Sequence, residues 1–250
     1  SLQTQMSEEL QLSVAANVQN AYERYVDRFG VFSADNYYRN ILTTVQSNLH
    51  YSFSPNLVLH PGVEVGQATA TGNSLEGDQS RTHAALYLGG EFHSDLVPFR
   101  ISVYPSLRYD NYSSIGNAVS PKLGLNVRYA SDAANSLSTF GLALHSTLGK
   151  NFRAPTFNEL YYAGSGGRGN LNLNPEHSMS FDAGLTLNYS LLGLQEVDVT
   201  YYTITTDDRI QWLPTSVVSI WSPINIGKTQ SYGVEVEYRW SPLPEYLSLE

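Results

Sequence analysis

Alternation of apolar and polar residues with a period of two is the dominant pattern in this 250-residue chain. Between residues 122 and 130, for example, Leu123, Leu125, Val127 and Tyr129 alternate with glycine or polar residues. Successive side chains of a β-strand point to opposite faces, so this period predicts strands with one apolar and one polar face. Helical spacing is sustained nowhere, and the pattern therefore predicts an all-β chain.

The alternating segments number about ten, and their connections differ in length in a regular way. A possible eleventh segment starts at Tyr246. Short, turn-like connections such as SFSPN and SLLGL alternate with long ones such as DRFGVFSADNYY and roughly 150–177 and 207–229. An up-and-down sheet with this alternation has tight turns at one end and long loops at the other, as in outer-membrane barrels. The predicted strands lie near 8–24, 39–51, 57–68, 82–92, 99–109, 119–130, 138–149, 178–189, 195–206 and 230–240.

The apolar face has no second layer in the sequence to pack against it. A closed barrel of this many strands has a lumen too wide for side chains to fill. We therefore expect the apolar face to contact lipid and the charged face to line a wet interior. The 18 tyrosines and the low charged fraction of 15% agree with this orientation. A soluble all-β binding module, or another outer-membrane barrel such as a porin or a barrel enzyme, remains an alternative.

Several classes of function are disfavoured by composition. A net charge of −9 without a Lys/Arg run argues against nucleic-acid binding, and the absence of cysteine excludes thiol chemistry. No apolar run is long enough for a transmembrane helix, and no signal peptide is visible. The six histidines are scattered, no Ser–His–acid grouping is indicated, and Gly164, Gly166 and Gly169 are not followed by a helix pattern. We predict no enzyme, catalytic residue, metal site or cofactor.

The segment NFRAPTFNELY, followed by GNLNLNPEHSMSFDAGL, resembles the signature of the barrel portion of TonB-dependent outer-membrane receptors. Upstream, RYDNYSSIGNAVSPKLGL is similar to an R-Y-D…S-P-K-x-G-L segment of that family. Downstream, NIGKTQSYGVEVEYRW is similar to its N-V-G…G-x-E strand. Leu171, Asn174 and Asp182 depart mildly from the family pattern. The similarity covers roughly residues 57–250, and several motifs occur in the family's order.

The resemblance implies a fold, a function and partners. The chain is expected to be an antiparallel up-and-down transmembrane β-barrel fragment, about ten strands of a 22-stranded barrel, with 1–250 in one barrel domain and the plug domain outside it. The implied function is import of a scarce nutrient, foremost a ferric siderophore or similar metal chelate, or cobalamin, across the bacterial outer membrane. The implied partners are that small-molecule ligand, outer-membrane lipid, the receptor's own plug and, through it, TonB.

Aromatic and cationic residues of the long loops are candidate ligand contacts, because Arg charge and aromatic stacking hold an anionic chelate. An aromatic girdle at the lipid headgroups is the alternative for those beside strand ends, and we favour it for Tyr37, Tyr38, Tyr161 and Tyr162. Arg153 and Glu176, within the family motif, are expected to shape the loop rather than bind ligand. The candidates are Tyr37, Tyr38, Arg39, Tyr161, Tyr162, Arg168, Trp212 and Trp221.

Overall fold

A single antiparallel sheet makes up almost all of the structure, a computed structural model that describes residues 2–29, 34–130, 140–164, 166–190, 193–216 and 220–241. One short helix, α1 (Phe157–Tyr161), lies between β8 and β9. The strands are β1 (Leu2–Gln5), β2 (Leu10–Asp27), β3 (Ala34–Ser54), β4 (Leu57–Gly72), β5 (Gln79–Leu96), β6 (Phe99–Tyr112), β7 (Gly116–Ala130), β8 (Phe140–Arg153), β9 (Glu176–Ser190), β10 (Leu194–Pro214) and β11 (Trp221–Ser241).

Each strand pairs with its neighbours in sequence, in the order β1 to β11. The up-and-down topology predicted from the alternation is thereby confirmed. Within the described residues β1 pairs only with β2 and β11 only with β10, so the sheet is open. No helix in these residues is long and apolar enough to cross a membrane.

All ten predicted strands are present, as β2 to β11, but most are longer than the sequence indicated. The clearest error is the predicted long loop 207–229, because β10 continues to Pro214 and β11 begins at Trp221. Ile210 and Trp212 turn toward residues 154–175 there and pack on them, so both faces carry apolar residues and the alternation is hidden. The four-residue strand β1 was not predicted, and the start at Tyr246 lies outside the described residues.

Where the structure describes the connections, they keep the predicted asymmetry with one exception; the connection 131–139 between β7 and β8 lies outside the described residues. One end of the sheet, the turn end, has two-residue turns at 55–56 and 97–98. The other end, the loop end, carries the connections 28–33, 73–78, 154–175 and 215–220. The exception is DNYSSIGNA, predicted as a long loop, which is only a turn at 113–115 because pairing of β6 with β7 continues to Tyr112 and Gly116.

The aliphatic rows of the sheet are exposed rather than gathered into a core. Leu86, Leu88 and Leu107 are 60%, 51% and 52% exposed. Along one face the uninterrupted apolar stretch runs from Phe99 to Tyr109 in β6 and from Val119 to Tyr129 in β7, each spanning 11 residues. Stretches of about 9–11 residues are the length at which tilted strands cross the hydrocarbon of a bilayer. The predicted orientation of the apolar face is therefore supported by the exposure.

The polar face is the enclosed one. Arg108 of β6 donates to Glu64 of β4 across β5, with Nη2 to Oε1 at 3.0 Å. Tyr87 of β5 hydrogen-bonds Asn48 of β3, and His145 of β8 contacts Thr200 of β10. Side chains that meet across an intervening strand require the sheet to curve toward them. The charged rows thus lie on the concave side, where residues 154–175 also pack.

Candidate functional site

Residues 154–175, which we call the inner loop, begin with a short helix whose start is fixed by a capping box. The Thr156 hydroxyl accepts from the Glu159 N–H at 3.1 Å, and Glu159 Oε2 accepts from the Thr156 N–H at 2.7 Å. These reciprocal bonds satisfy amides that the first helical turn leaves without partners. The capping box therefore lets a helix of only five residues turn the chain off β8 and over the polar face.

Arg153 at the end of β8 joins the two ends of the inner loop. Its Nη2 donates to Glu176 Oε1 at 2.5 Å, and its Nη1 donates to Glu159 Oε2 at 3.1 Å. Glu176 Oε1 also accepts from the Ile210 N–H at 2.7 Å, which extends the network to β10. The two carboxylate side chains are only 13% and 15% exposed, so the guanidinium neutralises charge that water reaches poorly. The prediction that Arg153 and Glu176 shape the loop agrees with these contacts.

The glycine and asparagine residues of the same motif hold the return of the loop. Gly169 N–H donates to Tyr162 O at 2.7 Å, and a Cβ at Gly169 would lie 2.5 Å from Leu160 O. Asn170 Nδ2 donates to Pro223 O at 3.0 Å, and the Asn174 N–H donates to Asn225 Oδ1 at 2.8 Å. The motif residues therefore serve close backbone packing between the inner loop and β11.

Two small apolar clusters fasten the inner loop to opposite parts of the sheet. The first consists of Ala70, Leu75 and Phe157, and the second consists of Leu160, Leu173 and Ile210. Tyr161 packs against both clusters. From β5, Arg81 Nη1 donates to Pro155 O at 2.8 Å, and its guanidinium lies 4.9 Å from the Phe157 ring centroid. The inner loop thus spans the polar face from β4 and β5 to β10.

A cleft of about 240 Å³ lies between the inner loop and the loop ends of β2 and β3. Glu23 and Tyr38 are register partners on its wall, and Tyr162 closes the side that the inner loop supplies. The Tyr162 ring is edge-on to Trp212, with centroids 5.7 Å apart. The lining residues are Glu23, Tyr25, Asn36, Tyr37, Tyr38, Ser74, Asn158 and Tyr162. They offer hydroxyls, amides and one carboxylate.

The structure brings four of the eight candidate residues together and separates the others. Tyr37, Tyr38 and Tyr162 line the cleft, and Trp212 lies behind Tyr162. Among these, Tyr37 also stacks on Tyr22 of the apolar face, with ring centroids 6.5 Å apart, which agrees with the girdle interpretation for this residue. Tyr38 instead packs on the first apolar cluster, on the side of the inner loop.

The remaining four candidates lie elsewhere at the loop end. Arg39 is on the apolar face, where its Nε donates to Asn20 Oδ1 at 3.0 Å. Arg168 is exposed, and its Nη2 lies 3.7 Å from Glu76 Oε1. Trp221 forms an isolated backbone β-bridge with Gly167. Tyr161 is between the two apolar clusters. Tyr37, Tyr38, Arg39, Trp212 and Trp221 are in strands, so their predicted placement in long loops was wrong.

The cleft residues that the sequence analysis did not predict are Glu23, Tyr25, Asn36, Ser74 and Asn158. The position of Glu23 could have been predicted from the sequence. The alternation in β2 places its side chain on the polar face, and Glu23 lies only a few residues before the connection that follows β2. Asn158 carried no such signal. It reaches the cleft only because the inner loop folds back, which depends on contacts far apart in the sequence.

A second cavity, of about 470 Å³, lies on the polar face of β5 to β8. Arg108 Nε donates to Asp110 at 2.9 Å, and a nitrogen of His83 is 2.8 Å from the same carboxylate. The His83 ring stacks on Tyr112 with centroids 4.4 Å apart. Arg108 and Asp110 are paired with each other, and Lys122 adds a further cation to the lining, so the cavity is a polar wall of mixed charge.

The fold and site define a class of protein: an up-and-down sheet with an exposed aliphatic face, a curved polar face and a long loop folded over that face. The sequence model of the family described as TonB dependent receptor-like, beta-barrel, matches residues 2–249. The chain belongs to this family, as its motifs had indicated.

Two curated relatives are described as vitamin B12 transporters BtuB. The protein of Vibrio vulnificus is 31% identical over 192 residues, covering 75% of this chain and 28% of that protein. The protein of Photobacterium profundum is 27% identical, with the same shares covered. The chain therefore spans less than a third of the length of these relatives.

Among solved structures, the siderophore receptor PirA of Pseudomonas aeruginosa matches with a TM-score of 0.63 and 17% identity, covering 94% of this chain and 48% of that one. A mutant of the ferric enterobactin receptor PfeA of the same organism matches with a TM-score of 0.65 and 15% identity, covering 92% and 39%. At these identities the structural matches establish the fold, which is thus part of a receptor-type barrel.

Proposed function

We propose that the chain is part of the barrel of a TonB-dependent receptor that imports a scarce nutrient into the periplasm across the bacterial outer membrane. The observation that carries the proposal is that one face of the sheet has an exposed apolar band of bilayer thickness, while the other face is polar, concave and covered by the inner loop. Residues 1–250 then belong to one barrel domain. The plug and, through it, TonB are the expected partners, and the receptor performs no catalysis.

The chemistry of the cleft favours a neutral, amide-rich ligand of the cobalamin class. Of the described residues that line it, none is Arg or Lys, and Glu23 contributes negative charge. An anionic ferric chelate would meet repulsion there, whereas tyrosine hydroxyls and asparagine amides pair well with amide side chains. The names of the two curated relatives support the same class. A ferric siderophore is the alternative.

One charge substitution in the cleft distinguishes these ligands, because it changes the affinity for each in the opposite direction. In the full-length receptor, Glu23→Lys is expected to weaken cyanocobalamin binding about tenfold, because the longer cationic side chain fills the cleft and removes a hydrogen-bond acceptor. For an anionic chelate the same change removes a repulsion and adds an attraction, so binding tightens. Equilibrium binding to the detergent-solubilised receptor measures both.

Glu235→Lys is the matched control, since Glu235 has the same charge and lies on the polar face of β11, outside the cleft residues. It should leave the affinity within about twofold of wild type. Uptake of labelled cyanocobalamin that requires both the receptor and TonB would confirm transport. A receptor that binds and imports only ferric siderophores would contradict the cobalamin assignment, and a receptor that imports neither would contradict the function.

Contact between the apolar face and lipid is tested within one strand. Leu144 lies on the apolar face near the middle of β8, and Leu144→Arg is expected to lower the free energy of unfolding in lipid by about 2–4 kcal/mol. Thr147→Arg, on the polar face opposite Asp182, should change it by less than about 1 kcal/mol. Reversible unfolding in vesicles gives both values. Equal effects would mean that the two faces have the same surroundings.

A further inference from the structure

Ionised side chains on the apolar face are confined to the loop end of the sheet. Strand register assigns this face to every second residue of each strand, and the described positions on it include five Arg or Lys and two Asp. All of them lie on the loop side of the aliphatic band, and cations are in excess although the whole chain has a net charge of −9. These residues are Arg24, Asp35, Arg39, Lys150, Asp207, Arg209 and Lys228.

The turn end of the same face has a different chemistry. Gln195 lies between two tyrosines there, accepting from the Tyr189 hydroxyl at 2.5 Å and from the Tyr238 hydroxyl at 3.1 Å. Phe99 and Tyr129 are register partners with ring centroids 5.5 Å apart. Among the described strand residues, this end of the apolar face carries no Asp, Glu, Lys or Arg side chain. The two ends therefore suit two different interfaces.

The densest cationic site is a two-by-two arrangement on β2 and β3, which we call the Arg–Tyr patch: Tyr22, Arg24, Tyr37 and Arg39. In the strand register Arg24 is opposite Tyr37, and Tyr22 is opposite Arg39. The two tyrosine rings stack along one diagonal, and Arg24 and Arg39 occupy the other. The backbone positions of such diagonal neighbours are about 7–8 Å apart, and the two guanidiniums lie on opposite sides of the tyrosine pair, because Arg24 bonds Asp35 toward the loop end and Arg39 bonds Asn20 toward the turn end.

Neighbouring side chains hold both guanidiniums in place. Asp35 accepts from Arg24 through both oxygens, at 2.8 and 2.7 Å, and Asn20 accepts from Arg39 Nε at 3.0 Å. Both Arg side chains are nevertheless exposed. An anion that approaches the patch therefore meets cations that are already ordered, which lowers the entropic cost of binding.

Aliphatic surface begins next to the patch, at Ile41 in β3 and, beyond Asn20, at Val18 in β2. Toward the turn end on the same face follow Val18 in β2, which is 68% exposed, and Ile41 and Val45 in β3. A free phosphate uses only the cations, and a hydrocarbon chain uses only the aliphatic rows. A lipid with a phosphate headgroup matches both, because Arg binds phosphate oxygens in a fork and tyrosine is enriched at the headgroup level.

We propose that the Arg–Tyr patch binds the phosphate headgroup of an anionic lipid whose acyl chains lie along the aliphatic rows of β2 and β3. The proposal rests on the membrane placement in the proposed function, but not on the identity of the imported nutrient. It assigns the loop end of the barrel to a leaflet rich in exposed phosphate, and the uncharged aromatic end to the other leaflet.

The test uses the full-length receptor in a non-ionic detergent. Dioleoyl phosphatidic acid is the probe, dioleoyl phosphatidylcholine has the same chains with a zwitterionic headgroup, and inorganic phosphate lacks the chains. Native mass spectrometry gives the apparent affinity for each. We expect phosphatidic acid to bind about fivefold tighter than phosphatidylcholine, because Asp35 offsets the charge of Arg24 and the patch keeps one net positive charge near the headgroup.

The double variant Arg24→Gln with Arg39→Gln should abolish that preference. The control is Arg100→Gln with Arg128→Gln. These two arginines are register partners at the turn end of the polar face, so the control removes the same charge. It also breaks an exposed ion pair, because Arg100 is paired with Asp95. It should keep the preference. Retention of the preference in the first variant, or inorganic phosphate competing as well as phosphatidic acid, overturns the proposal.

Failure of the proposal is distinguishable from failure of the membrane placement. A receptor that stays folded and monomeric after detergent removal, and that binds neither lipid, contradicts the placement itself. A receptor that requires detergent and binds both lipids equally keeps the placement and overturns only the role of the Arg–Tyr patch.

Discussion

Replacing Arg153 by Ala is expected to lower the free energy of unfolding of the full-length receptor by about 3 kcal/mol. The change leaves Glu159 and Glu176 as neighbouring carboxylates that are poorly solvated and lack their cation. Their mutual repulsion acts on both ends of the inner loop, so the loop should detach before the sheet unfolds. Because the Arg153 side chain is itself 41% exposed, the loss stays at the lower end of that known for buried pairs.

Thermal unfolding in detergent and limited proteolysis within 154–175 measure this effect. Arg100→Ala is the control, because it also removes a short ion pair, Arg100 Nε to Asp95 Oδ1 at 2.6 Å, but one in which both side chains are more than 60% exposed. It should cost less than about 1 kcal/mol. Arg153→Lys should restore part of the stability. Similar losses for Arg153→Ala and Arg100→Ala would show that the inner loop does not depend on the Arg153 network.

Replacing Gly169 by Ala is expected to destabilise the inner loop by about 2–3 kcal/mol through overpacking. The added methyl group would lie 2.5 Å from Leu160 O and 2.7 Å from the Tyr161 amide nitrogen, both of which are backbone atoms that a side-chain rotation cannot move. Relief requires the turn between α1 and the loop return to open. That opening would also shift Tyr162, so ligand affinity should fall together with stability.

Gly227→Ala is a closely matched control, since a Cβ at Gly227 in β11 has no neighbouring atom within 4 Å. We expect that variant to unfold within about 0.5 kcal/mol of wild type. Protease cleavage of the inner loop and ligand affinity provide the two measurements. Unchanged cleavage and affinity in the Gly169 variant would mean that the close packing of Gly169 on Leu160 is not needed for the loop conformation.

The sequence by itself determined ten of the strands, their order and which residues share a face, but not their full lengths. A period of two over ten segments assigns each residue to a face, and the absence of charge from the aliphatic band of one face predicts where water is excluded. The alternation of Leu123, Leu125 and Val127 with polar neighbours was enough for β7. The motif around Arg153 and Glu176 was also recognisable from sequence alone, together with its structural rather than ligand-binding character.

The tertiary structure alone decided where the inner loop lies and which residues it brings together. Ile210 and Trp212 were predicted in a loop because their apolar partners, such as Leu160 and Tyr162, are about 50 residues away in the chain. Local periodicity cannot report a contact of that kind. The cleft follows from the same folding-back, since Glu23 and Asn158 meet only when the inner loop crosses the polar face. Long-range packing, which carries no local period, therefore set the site.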